Sequence, residues 1–286
     1  MPSVSAARAS NATYSPSYLP VAIFSMAESF ARYTKGEAQI IIVGRSRTAG
    51  ESVLASFPKP SSSSSDVASK WKHEFVECDV SLIRNVHATT ASLLARLPHV
   101  NCLVITAGYF SLAGRDDTSE GLDRKIVLSY YARWSFIKDL VPPLIKAREA
   151  GEDAGVMSVL AAGEGPKVDL NDLGLVNNYS ATGAMNACAT YNDLMVEEFA
   201  SRYPSIAFTH SFPGLVNSPL FNFTHWAVRL FVPFIRLIVW FAAKSEAHAA
   251  EYQLYGLFSG KQGVYRRGEY GDEIKALAAY DGDKDA

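Results

Sequence analysis

The chain has 286 residues, 48% hydrophobic and 20% charged, enough to bury a large core as a single domain. Its 27 basic and 29 acidic residues leave a net charge of -2, which excludes the basic face that a nucleic-acid binder needs. Three scattered cysteines, Cys78, Cys102 and Cys188, lack metal-ligand spacing, so reduced thiols, no metal site and a cytoplasmic protein are expected.

Met1 to Ser17 is rich in Ser and Ala and lacks the long apolar run of a secretory signal, so 1-17 reads as an N-terminal extension. Pro20-Val-Ala-Ile-Phe24 is a short apolar run suited to a buried strand. Ser25 to Thr34 follows with helical spacing, Ser25 serving as N-cap, and Ala38 to Arg45 is a second buried strand. Together they make a βαβ unit whose first turn, between Phe24 and Ser25, has no glycine. In nucleotide-binding versions of this unit glycines let the backbone approach a pyrophosphate at the helix N-terminus. Here that loop is missing, either because the turn binds nothing or because the segment was lost from the sequence.

Further along, Thr48 to Phe57 suits a helix and Pro58 to Asp66, with five consecutive serines, a solvated loop. Phe75 to Asp79 is a third strand, Val86 to Leu97 a helix, and His99 to Thr106 a fourth strand ending in Ala107-Gly108. A long helix spans about Ser119 to Ala147, with Pro142 and Pro143 expected to bend or end it. Gly155 to Leu160 is a fifth strand, Tyr179 to Arg202 a second long helix, and Ile206 to Phe212 a sixth strand before Pro213-Gly214. Ser245 to Ser259 reads as a closing helix and Gly263 to Arg267 as a last short strand. Repeated βα units predict an α/β fold, a doubly wound parallel sheet with helices on both faces, over 18-280, followed by an acidic tail, 281-286.

Residues 221-243 form an apolar segment in which Asn222, His225, Arg229 and Arg236 fall along one side of a helix. Two central arginines and Pro233 disfavour a spanning helix. What remains is a lid over an apolar substrate (219-243), a peripheral membrane contact, or a core helix of an oligomer.

Ile41-Ile-Val-Gly-Arg45, Thr106-Ala-Gly108, Tyr179 opening a long helix, and His210 to Pro219 together resemble the short-chain dehydrogenase/reductase family over nearly the whole chain. The resemblance implies a Rossmann-like fold, a nicotinamide cofactor, oxidation or reduction of a small apolar alcohol or carbonyl, and a homo-oligomer. It also implies a glycine loop after strand one, Asn-Ala-Gly after strand four, a Ser after strand five and Tyr-x-x-x-Lys on the next helix.

Carried over residue by residue, Arg45 and Ser46 follow strand two, where Arg suits the 2′-phosphate of NADP and an acidic residue would suit NAD. The expected cofactor is therefore NADP(H), with NAD(H) possible; ordinary surface arginines are the alternative. Asp79 matches an adenine contact or a plain N-cap. Thr106, Ala107 and Gly108 match the Asn-Ala-Gly turn, and Pro213 and Gly214 the turn after strand six. Tyr179 is the candidate proton donor. A free phenol with a pKa of ~10 needs a nearby cation to ionise near neutrality, yet the lysine slot holds Gly183 and only Lys167 lies near in sequence.

Ser158 is the candidate catalytic hydroxyl, with a structural role as the alternative; the family's own slot falls nearer Ala161, and Glu164 is a polar substitute. The family's helix Asn falls near Ser129 or Tyr130, and Tyr191 is expected in the core. Two functional expectations follow: an NAD(P)(H)-dependent oxidoreductase with an atypical site, or a catalytically inactive binding protein on the same fold.

Overall fold

The computed structural model describes residues 3–7, 21–59, 71–108, 111, 113–216 and 243–274. Its elements in chain order are β1 (Ser3–Ala7), α1 (Val21–Tyr33), β2 (Gln39–Gly44), α2 (Arg47–Ser56), β3 (Glu74–Glu77), α3 (Ile83–Leu94) and β4 (Cys102–Ile105). There follow α4 (Arg124–Ile126), a π-helical turn (Val127–Tyr131), α5 (Ala132–Glu149), β5 (Gly155–Val159), α6 (Ala181–Arg202), β6 (Ala207–Ser211), α7 (Glu246–Ser259) and β7 (Gly263–Arg267). The expected doubly wound fold is present: seven strands in the order β3-β2-β1-β4-β5-β6-β7, every neighbouring pair parallel.

The strands sort their side chains by period two into two apolar layers. Ile41, Val43, Leu103, Ile105, Val156 and Phe208 face α3, α5 and α6. Ile40, Ile42, Cys102, Val104, Met157 and Val159 face α1 and α7. Burying one such side chain contributes roughly 1.5–3 kcal/mol, so the two layers rather than strand propensity fix the sheet.

The first unit departs from the expected one. The strand is Ser3–Ala7, paired in register with Gln39–Val43 on one side and, from Val4, with Cys102–Ile105 on the other. Val21 to Phe24, read as a strand, forms the first turn of α1. A short apolar run suits a buried helix turn as well as a strand, and here Phe24, Met26, Ala27, Phe30 and Ala31 form a helical stripe against the second layer. The sheet therefore reaches into the segment expected as an extension. The strand-to-helix connection is 8–20 rather than the Phe24–Ser25 junction; it too has no glycine in sequence, since the first glycine of the chain is Gly36. Its structure lies outside the described residues, as do the serine run, nearly all of the 219-243 segment and the acidic tail.

The long helix starts later than expected, at Arg124, and passes through Pro142 and Pro143 to Glu149. Two interior prolines cost ~3 kcal/mol or more each. The buried face of Leu140, Val141, Leu144 and Ala147 outweighs that penalty.

One contact fixes α2 against β3. A Cβ on Gly50 would lie 1.9 Å from Cδ2 and 2.7 Å from Cγ of the buried Phe75 ring. Gly50→Ala is therefore expected to lower stability by about 1–3 kcal/mol in a urea titration, and Phe75→Leu in the same chain to recover part of the loss; an unchanged or raised midpoint in the single variant would contradict this packing.

Candidate active site

In a parallel sheet each strand runs into its helix at the carboxyl edge, so the sequence-expected site residues other than Ser158, which lies inside β5, gather there: Arg45 and Ser46 after β2, Asp79 after β3, Thr106–Gly108 after β4, Tyr179 ahead of α6, and Pro213–Gly214 after β6. The sheet changes winding direction between β1 and β4, the place where such folds bind ligands.

Ser46 caps α2, its hydroxyl accepting from the Ala49 amide at 3.4 Å. Asp79 forms a turn of its own, Oδ1 accepting from the Ser81 amide at 3.0 Å. Burial draws the Arg45 guanidinium below its usual range, with Arg124 pushing the same way and Asp79 opposing. Arg124 itself reaches the Ser81 hydroxyl at 3.1 Å and Asp116 at 2.8 Å. Arg45, Asp79 and Arg124 thus form one electrostatic group beside the ends of β2 and β3.

Arg133 on α5 is fully buried. It donates to the carbonyls of Leu128 at 3.3 Å, Val159 at 3.0 Å and Ile105 at 3.5 Å, to that of Ala107, and to the Ser158 hydroxyl at 2.6 Å. Burial lowers its pKa to about 10. Ser158 in turn donates to Asn192 at 2.7 Å, and Asn192 donates to the Ser129 and Cys188 carbonyls, each at 2.7 Å. Ser158 and Asn192 have no exposed surface, so the hydroxyl is engaged in the core. The structural alternative is where the geometry puts Ser158. Ser129, in the family's Asn slot, lies with Arg133 on the helix face toward Gly108: their polar atoms sit 4.0 and 3.9 Å from where a Gly108 Cβ would be.

Tyr179 is half-buried, and its hydroxyl accepts from Lys125 Nζ at 3.0 Å. Lys125 is 2% exposed and also donates to the carbonyls of Ala113 at 3.0 Å and Gly114 at 3.3 Å. Asp123 builds this corner: as N-cap of α4 it accepts from the Ile126 amide at 3.1 Å, and its other oxygen accepts from the Asp116 amide at 3.1 Å. The π-helical turn follows directly, a feature common at functional sites. Arg115 clasps the two loops flanking Tyr179 by donating to the Gly174 and Leu175 carbonyls at 2.9 and 3.1 Å. Asp172 accepts three amides, from Val176, Asn177 and Asn178, which hold its carboxyl below the usual range.

The loop after β5 is pinned from below by a buried pair. His210 Nε2 accepts from the Ala161 amide at 3.3 Å, so the ring proton sits on Nδ1, 2.7 Å from Asp193 Oδ1. Asp193 also accepts from the Gly163 amide at 3.0 Å and from Arg266 at 3.1 Å. Gly165 lets the loop lie against α6, since a Cβ there would fall 2.4 Å from the Thr190 backbone nitrogen. Glu164 and Lys167 are exposed on this loop, whereas Tyr191 packs in the core as expected, donating to the Leu173 carbonyl at 2.9 Å. Among the described residues no group of three His, Cys, Asp or Glu side chains is placed to hold a metal ion, and no helix is long and apolar enough to cross a membrane.

Two buried hydroxyls at the edge have no hydrogen-bond partner among the described residues, Ser211 at the end of β6 and Thr106 after β4. A buried hydroxyl left unpaired costs about 1–3 kcal/mol, so the Thr106 position fits a polar ligand group over Gly108, as a dinucleotide would supply. Sequence reasoning missed Lys125, Arg133 and Asn192. The only local signal was the four-residue spacing of Lys125, Ser129 and Arg133, which puts them on one helix face.

Burial lowers the His210 pKa below the ordinary 6.5, against the opposing pull of Asp193. Burial works to raise that of Asp193, and its bonds from His210, Gly163 and Arg266 outweigh it to leave the net shift downward. Both groups bind protons more readily unfolded, so stability is complete above about pH 6.5 and falls as acid is added, His210 first and Asp193 below about pH 4. His210→Asn is expected to flatten the stability–pH curve between about pH 6.5 and 5 relative to the unmodified chain, by up to ~1.4 kcal/mol per pH unit; parallel curves in urea titrations would contradict the neutral buried imidazole.

No family model matches the chain. It is 37% identical over 153 residues to Oxidoreductase AN1596 of Emericella nidulans, covering 54% of this chain and 45% of that protein. It is 28% identical over 235 residues to Short-chain dehydrogenase/reductase SAT2 of Stachybotrys chartarum, covering 77% and 62%. The chain thus spans about half the length of the first curated relatives it matches. A short-chain dehydrogenase from Streptomyces avermitilis superposes with a TM-score of 0.59 over 95% of this chain and 90% of its own at 17% identity. An NADH-dependent reductase, A1-R′, solved with NAD, superposes with a TM-score of 0.60 over 96% and 97% at 13% identity. At these identities the structures show a shared fold.

Proposed function

We propose that this chain, which resembles short-chain dehydrogenases/reductases in sequence and shares their fold, moves hydride between a nicotinamide cofactor and an apolar carbonyl or alcohol, with Tyr179 as the proton donor. The observation that carries the reading is the meeting of Arg45, Thr106–Gly108 and the Tyr179 hydroxyl at one edge of the sheet, where the winding direction changes. Arg45 and Asp79 would hold the adenosine end, Arg45 favouring the 2′-phosphate of NADP(H). Thr106 and Gly108 would face the ring end, together with Pro213 and Gly214. The cofactor supplies a hydride when bound. Tyr179 then delivers its proton to the oxygen of the carbonyl being reduced, and the phenolate left behind is reprotonated by water.

Leu170, Leu173 and Val176 project from the loop ahead of Tyr179 with 54%, 49% and 66% of their surface exposed, an apolar lip that suits a bulky apolar substrate. The free, buried Cys78, Cys102 and Cys188 suit a reducing compartment and with it a cytoplasmic protein, while a homo-oligomer rests on the resemblance alone. The described residues add nothing to the lid and membrane readings of 219-243, which stay part of the proposal.

A second reading, a catalytically inactive binding protein, is favoured by one observation: no glycine precedes Gly36, so the connection from β1 to α1 lacks the glycines that let a backbone approach a pyrophosphate. Isothermal titration separates the two. NADPH is expected to bind at least about tenfold tighter than NADH, a difference of ~1.4 kcal/mol, and Arg45→Ala to erase the preference. Tyr179→Phe is expected to keep NADPH affinity while slowing carbonyl reduction ~10²- to 10⁴-fold. No binding of either cofactor at millimolar concentration would overturn the oxidoreductase reading.

A further inference from the structure

The phenol of Tyr179 cannot serve as a fast proton donor alone, because the phenolate it leaves needs a positive neighbour. In the first turn of the helix that follows it the chain has Gly183, whose amide donates to the Ser180 cap at 3.0 Å. Lys167, the only candidate near in sequence, is exposed. We propose that Lys125, from the helix ahead of β5 rather than from the helix that follows the tyrosine, is the positioning cation for Tyr179. The inference rests on the reading of this edge as a reductase site and names the residue that makes its acid competent.

Four observations support it. Lys125 Nζ lies 3.0 Å from the Tyr179 hydroxyl oxygen, within charge-assisted hydrogen-bond range. Only 2% of Lys125 is exposed, so solvent does little to screen its charge from that oxygen. The ammonium also donates to the Ala113 and Gly114 carbonyls, which hold it beside the phenol. Because the phenol oxygen accepts from Nζ, its own proton is directed away from Lys125.

The mounting is rigid. Asp123 caps α4 through the Ile126 amide, and Arg115 ties the loop bearing Ala113 and Gly114 to the carbonyls of Gly174 and Leu175 just ahead of Tyr179. The other charged groups described on these elements are Asp123 and Arg124 beside Lys125, Arg133 on α5, Arg115, Asp116, Asp117 and Glu120 between β4 and α4, and Glu164, Lys167, Asp169 and Asp172 between β5 and α6. In the reducing direction the O–H bond of Tyr179 breaks as the new O–H bond of the alcohol forms, and Lys125 stabilises the phenolate.

The test is an ultraviolet titration of tyrosinate in the cofactor-free protein, with the Tyr179 contribution taken as the difference from Tyr179→Phe. Lys125→Gln keeps hydrogen-bond donors for the Ala113 and Gly114 carbonyls and removes the charge; Lys125→Arg keeps the charge. An opposite charge at this range shifts an ionisation by about 1–3 pH units, a ~10- to 1000-fold change in the ionised fraction at fixed pH. Tyr179 is therefore expected to ionise that much higher in Lys125→Gln and near the unmodified value in Lys125→Arg, with circular dichroism confirming that both fold. A Tyr179 titration unmoved in Lys125→Gln, or moved equally in both variants, would overturn the assignment. Because no cofactor enters the measurement, a failure of NADPH to bind would sink the oxidoreductase reading and leave this result standing.

Discussion

The buried guanidinium of Arg133 is the interaction on which the arrangement of this edge depends. A charge with no exposed surface is tolerated only when its donors are matched, and here the partners are backbone carbonyls at the ends of β4 and β5 and on the preceding helical turn. Those carbonyls are the ones a strand leaves unpaired where it turns into a loop. One rigid, planar fork therefore ties Ile105, Ala107 and Val159 to the helix that also carries Lys125 and Ser129. Where the family that this chain resembles places an Asn at the strand-four turn, Thr106 stands here, and the cross-strand tie comes from Arg133. Removing the guanidinium would leave several buried carbonyls unsatisfied at once, each costing about 1–3 kcal/mol.

Around that tie the site is built from two sides. From one side, His210 and Asp193 fix the loop after β5 through the Ala161 and Gly163 amides, with the imidazole held neutral by its own geometry. From the other, Lys125 and Arg115 fix the loop after β4 and the approach to α6. Tyr179 sits where the two supports meet. The positive charges of Lys125, Arg133, Arg45 and Arg124 lie along the same edge, which suits an anionic dinucleotide even where the first turn offers no glycine backbone.

Much of the fold was legible because strands β2, β4, β5 and β6 are buried on both faces and read as continuous apolar runs bounded by turns. The first strand was not, because Ser3–Ala7 has one bulky apolar residue, Val4, while Val21 to Phe24 offers a more apolar run that serves equally well as the buried turn of a helix. That single misplacement put the glycine-free turn at Phe24–Ser25 instead of 8–20. The places of Arg45 and Gly108 were legible because they stand just past strand ends, and that of Tyr179 because it stands just ahead of a long helix. Lys125, Arg133 and Asn192 were not, because their contacts join positions 54, 25 and 34 residues apart in the chain, and no local period announces a contact of that kind. The lysine slot holds Gly183 in the sequence; what the sequence could not show was an ammonium reaching Tyr179 from another helix.

The central claim is that the carboxyl edge, from the β4 turn to the head of α6, is a dinucleotide site organised by buried cations. Hydrogen–deuterium exchange with and without saturating NADPH tests it most directly, since amide protection maps the ligand without any assumption about substrate. The account predicts slowed exchange concentrated in 105–108, 113–116 and 160–165 and at the head of α6. Protection confined to other segments, or exchange identical with and without NADPH, would contradict it.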